Sequence, residues 1–238
     1  EAALRPDQTD ARSLAALAAN ATPRERPRKP APAPGPARLE FRGASSRRPG
    51  NAALESVSFA LRAGEVLGIA SLAGNGLDAL EDLAAAEREP DSGEVLLFGK
   101  RASPRERAAL RRDRLAYLPT DREGRALSQR ASLVDNALSR SLAGGGRKAL
   151  RGSRAMAAAA ARQNAWFGLM AEPSRPASTL SGGNRQRLVA ARELSGAPEL
   201  VIAANPSQGL DASAQADLRA RLSELARSGS AVLLLTSS

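Results

Sequence analysis

Apolar and polar positions alternate at LEF (39–41) and LESVSFAL (54–61), the two-residue period of a half-exposed strand, so both segments predict an antiparallel sheet. EVLGIAS (65–71) is a short apolar run and predicts a buried strand. EVLLFG (94–99), RLAYLP (114–119), ELVIAA (199–204) and AVLLLT (231–236) are similar runs separated by helical stretches, which predicts a buried, largely parallel sheet. After EVLGIAS come the close pair Gly74 and Gly76, then Leu77, Leu80 and Leu83 at helical spacing. Strand, glycine loop and helix follow in the order of a phosphate-binding loop. Between Arg125 and Ser178 the strand signals stop, and AMAAAAARQNAWFGLM (155–170) together with the flexible LAGGGR (142–147) predicts a helical subdomain inserted into the α/β core. Trp166, Phe167, Leu169 and Met170 read as its local core. At the other end, DARSLAALAAN (10–20) predicts a short helix, and TPRERPRKPAPAPGPA (22–37) mixes proline with charge and predicts a linker.

Composition narrows the chemistry. The 238 residues include no cysteine and no histidine, which excludes disulfides, thiolate metal sites and imidazole acid–base catalysis by this chain. The formal charge of +10 invites a nucleic-acid reading, but only Lys29, Lys100 and Lys148 are lysines, and aromatic residues for base stacking are scarce. Arginine-rich, alanine-rich coding composition accounts for the charge, so a nucleic-acid partner is not expected. No apolar run reaches the roughly 18 to 20 residues of a membrane-spanning helix, and the reading is a soluble chain. Beginning at Glu1 and stopping at Ser238 just after a strand-like run, the chain reads as a fragment of something longer.

The most specific string is TLSGGNRQRLVAAREL (179–194). Ser181, Gly182 and Gly183 stand where a loop becomes a helix, leaving backbone N–H groups unobstructed and a hydroxyl ready to donate, which favours an anion. A glycine turn capping an amphipathic helix explains Ser-Gly-Gly alone. It leaves the following residues unexplained. LSGGNRQR resembles the signature of the ATP-binding-cassette family, and other pieces fall in that family's order: the glycine loop upstream, AYLPTDR (116–122) at the glutamine-loop position, LVIAANP (200–206) at the Walker B strand and GLD (209–211) at the D-loop. The resemblance covers Leu39 to Ser238. Asn184 in place of glutamine, YLPTDREGR and IAANPSQGLD are similar to the C-terminal cassette of tandem ATPases that energise sugar and nucleoside importers, and within that group the GIASLAGNG loop (68–76) and the AANP ending of Walker B are most similar to the nucleoside-import branch.

This resemblance implies a P-loop NTPase core with an antiparallel β-subdomain and an inserted helical subdomain. It divides the chain into a tail from a preceding cassette (1–37), the first part of the nucleotide-binding core (38–124), the helical subdomain (125–178) and the second part of the core (179–238). It also assigns positions. The phosphate loop aligns as Ser71, Leu72, Ala73, Gly74, Asn75, Gly76, Leu77, Asp78, with Leu77 in place of the phosphate-binding lysine and Asp78 in place of the magnesium-ligating hydroxyl. Ala204 and Asn205 replace the Walker B Asp-Glu pair, so no base stands at the general-base position. Thr120 occupies the glutamine-loop position and Ser237 that of the switch histidine. Asp78, Glu81 and Asp82 fall in the opening turns of the helix, where they would favour its dipole and make the site anionic.

Four separate losses in one half-site predict no hydrolysis there, whereas Leu180, Ser181, Gly182, Gly183 and Asn184, with Asp211, remain intact. The implied role is to act in trans. The signature would close over ATP and Mg2+ held mainly by a partner cassette, either the N-terminal cassette of the same polypeptide or a second subunit. The remaining implied partners are transmembrane permease subunits and, indirectly, a solute-binding protein. The implied location is peripheral, on the cytoplasmic face of the membrane. The alternatives are a non-catalytic or truncated cassette not coupled to transport, and a soluble ATPase acting on nucleic acid or ribosomes. Against the last, such proteins retain both Walker motifs.

Overall fold

A computed structural model describes residues 35–47, 52–72, 74–142, 161 and 172–237. The helix expected at 10–20, most of the linker, and Trp166, Phe167, Leu169 and Met170 lie outside them. Every described residue belongs to one compact unit.

Two sheets carry the described fold. The first is antiparallel, with strands β1 (Ala37–Ser46), β2 (Leu54–Arg62), β4 (Ser92–Leu97) and β5 (Lys100–Arg101) in the order β2-β1-β4-β5. The second is parallel, with β3 (Val66–Ser71), β6 (Leu115–Leu118), β7 (Leu200–Ala204) and β8 (Ala231–Ser237) in the order β3-β8-β7-β6. Helices α1 (Leu77–Ala84), α2 (Pro104–Asp113), α3 (Arg122–Arg125), α4 (Leu133–Leu142), α5 (Gly182–Leu194) and α6 (Ala212–Arg227) complete the described elements with a 3-10 turn at Ala177–Thr179.

Side-chain alternation along the parallel strands builds two cores. Ala116, Leu118, Val201, Ala203 and Val232 face one way and pack with α4, α5 and α6 residues such as Leu133, Leu188 and Leu222. Leu115, Tyr117, Leu200, Ile202, Ala204 and Leu233 face the other way, onto α1 and the antiparallel sheet through Leu80, Leu83, Leu39 and Phe41. The parallel sheet is thus covered on both faces, which is why its central strands read as unbroken apolar runs.

Two expectations need correction. EVLLFG supplies β4, which pairs antiparallel with β1 and β5 instead of joining the parallel sheet. A fully apolar run says only that both faces are covered, not which sheet covers them. β3 is not buried throughout: Val66, Gly68 and Ala70 are exposed, and β8 is its one partner among the described strands. In β2 the alternation slips, because Ser56 takes a positive φ of 47°, so that Leu54 and Val57 reach the same core as Phe59.

One glycine decides how β1 and β4 meet. Gly93 has φ +73°, and a Cβ there would lie 2.2 Å from the Gly43 carbonyl oxygen, where the β1–β4 register shifts between Arg42 and Ser45. Gly93→Ala combines left-handed backbone strain with a backbone clash and is expected to destabilise the fold by about 2 kcal/mol or more. Thermal melting monitored by circular dichroism checks this, and an unchanged Tm would refute it.

Candidate functional site

The expected strand and helix are present as β3 and α1, with Leu72 and Gly74 to Gly76 as the described residues of the glycine loop between them. Gly74 (φ +86°) and Gly76 (φ +78°) both need the left-handed region. Gly74 has open space where a Cβ would project, whereas a Cβ at Gly76 would lie 3.4 and 3.5 Å from the carbonyl oxygens of Ala53 and Ala52. The Ala52 N–H donates to the Gly74 carbonyl at 3.3 Å, and the Asn75 N–H to that of Leu72 at 3.2 Å. Ser71 donates its hydroxyl to the Leu72 carbonyl. Leu77 is partly buried against the second core, so this position contributes packing instead of a cation. Asp78 is exposed in the first turn of α1.

Glu81 and Asp82 do not stand open at the site as the sequence suggested. They are 4% and 2% exposed and turn into the protein. The Glu81 carboxylate accepts from the Tyr117 hydroxyl at 2.6 Å, the Thr120 backbone N–H at 3.1 Å and the Thr120 hydroxyl at 2.9 Å. Asp82 pairs with Arg125 at 2.7 Å, and Arg125 also donates to the Tyr117 hydroxyl. Burial first, and then the Glu81 carboxylate, push the Tyr117 hydroxyl pKa well above its ordinary value. Buried carboxylates require partners of this kind, and these lie 36 to 43 residues away in the chain.

Thr120, Asn205 and Ser237, which the sequence reading assigns to three separate motif positions, form one polar chain in space. The Asn205 side-chain amide donates to the Thr120 hydroxyl oxygen at 3.4 Å and to that of Ser237 at 3.1 Å. The Ser237 N–H donates back to Asn205 Oδ1 at 2.9 Å. Asn205 adopts φ 44°, a left-handed conformation that asparagine tolerates better than most residues. It is an amide held between two hydroxyls, with no carboxylate to accept a proton. Nor do these residues fit a magnesium ion. Ala204 is apolar, Asp78 stands by itself, Glu81 and Asp82 are engaged, and no group of three His, Cys, Asp or Glu side chains occurs among the described residues.

The glycine-rich helix start at 181–183 is built differently. Ser181 caps α5, its hydroxyl oxygen accepting from the Asn184 N–H at 3.4 Å, while its carbonyl takes the Arg185 N–H. A helix's first N–H groups lack intrahelical acceptors, which leaves those of Gly182 and Gly183 to an outside acceptor. Ser181 and Gly182 are exposed, and nothing lies within 4 Å of a Cβ at Gly182. Leu180, by contrast, is buried and anchors the turn in the first core.

Gly183 is there for contact: its Cβ would come within 2.6 Å of the Gly209 carbonyl oxygen. Helix α5 is therefore braced on the loop before α6. Gln186 donates to the Pro206 carbonyl at 2.7 Å, and Arg187 pairs with Asp211 at 2.6 Å. Asp211 caps α6 by accepting from the Ala214 N–H, and that bond, then Arg187, holds its carboxyl below the usual range. Arg122 reaches the Gln208 carbonyl at 3.0 Å, and Arg185 pairs with Glu123. Sequence reasoning found both glycine motifs but missed Glu81, Arg122, Arg185 and Arg187 as struts, since only the fold brings their partners near.

Residues 54–208 match the family model described as ABC transporter. The chain belongs to the ABC transporter family. Its fold is that of the ABC ATPase cassette: the ATP-binding cassette MJ0796, solved as a dimer in a post-hydrolysis state bound to ADP and Pi, superposes with TM-score 0.73 at 19% identity, over 84% of this chain and 88% of that one. Among curated relatives, the ribose import ATP-binding protein RbsA 2 of Rhizobium meliloti is 31% identical over 81% of this chain. RbsA 1 of Streptomyces avermitilis is 32% identical over 90%, and the probable riboflavin import ATP-binding protein RfuB of Treponema pallidum 33% over 76%. The matches span 38%, 40% and 32% of those proteins, so the chain corresponds to well under half the length of each.

Proposed function

We propose that this cassette is the hydrolytically silent half of an importer ATPase and lends its signature, Ser181 to Asn184, to ATP bound by a partner cassette. The observation that carries this reading is the contrast between two anion-ready helix starts in one chain. At α5 an open serine and two glycines present a hydroxyl and free N–H groups. At α1 the cation and the metal-binding hydroxyl are gone, Asn205 stands where a base is needed, and the surrounding polar groups bond one another.

Phosphoryl transfer depends on positioned donors around the γ-phosphate more than on covalent participation. Ser181, Gly182 and Gly183 supply such donors, and Gly183 with Gly209 fixes their distance from the D-loop. ATP and its magnesium then belong mainly to the partner's loop. Residues 120–125, tied to α1, α5 and the D-loop, are the segment through which closure reaches the permease. The relatives named for ribose and riboflavin import support a small imported solute of that kind, and the AANP string at 203–206 and the GNG loop favour a nucleoside; permease and binding-protein partners select it. The location in this reading is peripheral, on the cytoplasmic face of the membrane; among the described residues no helix is long and apolar enough to cross a membrane.

A phosphate-release assay on the isolated chain tests the silent half directly. Turnover at least about 100- to 10,000-fold below the usual enzymatic scale is expected, because loss of a positioned base alone costs that much. Sustained turnover near the usual enzymatic scale of about 1 to 10 per second would overturn the reading.

A further inference from the structure

In an open α/β sheet the ligand crevice lies beyond the carboxyl ends of the strands, so groups placed there are normally free to meet the ligand. Here the residues just past β6 and β7 and at the end of β8 meet one another instead: Thr120, Asn205 and Ser237 form a hydrogen-bonded row, and Glu81 of α1 closes its end by taking both the hydroxyl and the N–H of Thr120. Asn205 sits at the centre of the row, its amide N–H groups donating to the Thr120 and Ser237 hydroxyl oxygens while its Oδ1 accepts from the Ser237 N–H. Thr120 gives its hydroxyl proton to Glu81 and receives one from Asn205, so it has none left to offer a phosphate. Glu81 also takes the Tyr117 hydroxyl, and its neighbour Asp82 takes Arg125, so α1 grips the segment from Tyr117 to Arg125 at three residues.

We infer that Glu81 is a positioning residue whose carboxylate latches the glutamine-loop segment, residues 117–125, into one fixed arrangement that does not require nucleotide. A ligand shifts a conformational equilibrium only through contacts that differ between states. With the segment's hydrogen bonds already made internally, nucleotide in this half has nothing to add. The inference rests on the proposed function for its meaning, since a preset silent half leaves the partner's ATP as the sole trigger. The latch itself is a property of this chain's own contacts.

Hydrogen exchange followed by mass spectrometry in the full-length protein containing this chain tests it. Peptides covering 116–126 are expected to be protected without nucleotide and to gain no further protection with Mg-ATP. Glu81→Gln should speed their exchange about tenfold or more while peptides from β7 stay unchanged. Thr120→Val, which keeps the shape but removes the hydroxyl, should produce a smaller rise at the same peptides and covers the case in which Glu81→Gln fails to fold. In the assembled transporter, Glu81→Gln should lower solute moved per ATP hydrolysed while the KM for ATP holds, whereas a merely weakened fold lowers transport and hydrolysis together. Low protection at 116–126 that appears only with Mg-ATP, or unchanged exchange in both variants, would overturn the latch. Sustained phosphate release by the isolated chain near the usual enzymatic scale would instead overturn the silent-half reading and leave the exchange result standing.

Discussion

Ser181→Arg in the assembled, full-length transporter is expected to lower ATP turnover by at least about 100- to 1,000-fold, the scale seen when one positioned donor to a developing negative charge is removed. Ser181 is exposed at the start of α5, and beside it Gly182 has no neighbour within 4 Å of a Cβ, so an arginine extends outward into the space that a partner's phosphate would need. The same change removes the α5 cap, at a cost of about 0.5 to 2 kcal/mol. That cost is too small to unfold a domain whose α5 is anchored by Leu188, Val189, Ala190, Ala191 and Leu194 in the core. Phosphate release and the thermal melt are therefore measured together. Lost turnover with a nearly unchanged Tm supports the trans role, and wild-type turnover would sink it.

Glu193→Ala is expected to cost about 3 to 5 kcal/mol of stability, the range for removing one partner of a buried ion pair. Glu193 is fully buried on α5 and collects Arg192 at 2.9 Å, Arg111 at 3.0 Å, Arg140 at 3.1 Å and the Tyr117 N–H at 3.1 Å. Without it three guanidinium groups face one another with no carboxylate between them. Burial alone would raise the Glu193 pKa, but Arg192, Arg111 and Arg140, with the Tyr117 N–H, outweigh it and hold the carboxyl below its ordinary value. A carboxyl with a depressed folded-state pKa contributes stability in full above its unfolded pKa and loses it as pH falls through the folded one. Urea midpoints for the wild type should therefore fall steeply below about pH 4, and Glu193→Gln should fall less over that interval. Parallel curves for the two proteins would contradict this account.

What could be read in the sequence was what local pattern controls. The strand, glycine loop and helix around Gly74, the α5 start at Ser181 and the central strands were legible because periodicity and glycine spacing are local. The sheet to which EVLLFG belongs was not, because two covered faces leave the same apolar run in either sheet. Glu81 and Asp82 were read as dipole partners at the site because their charge is visible in sequence and their partners are not. One signal was available: both fall within the helical stretch that continues Leu77, Leu80 and Leu83, where a carboxylate beside a buried leucine stripe implies a buried partner. Thr120, Asn205 and Ser237 read as separate losses for the same reason, since only the parallel pairing of β6, β7 and β8 brings them into one row.

The central claim is that one of two composite sites turns over, on the partner's loop, under this chain's signature. Counting nucleotide trapped by vanadate in the purified, assembled protein tests this most directly, because vanadate holds ADP only where the γ-phosphate has been cleaved. One trapped ADP per pair of cassettes, abolished by Ser181→Arg, is the predicted result; two trapped per pair, or one that survives Ser181→Arg, would contradict it.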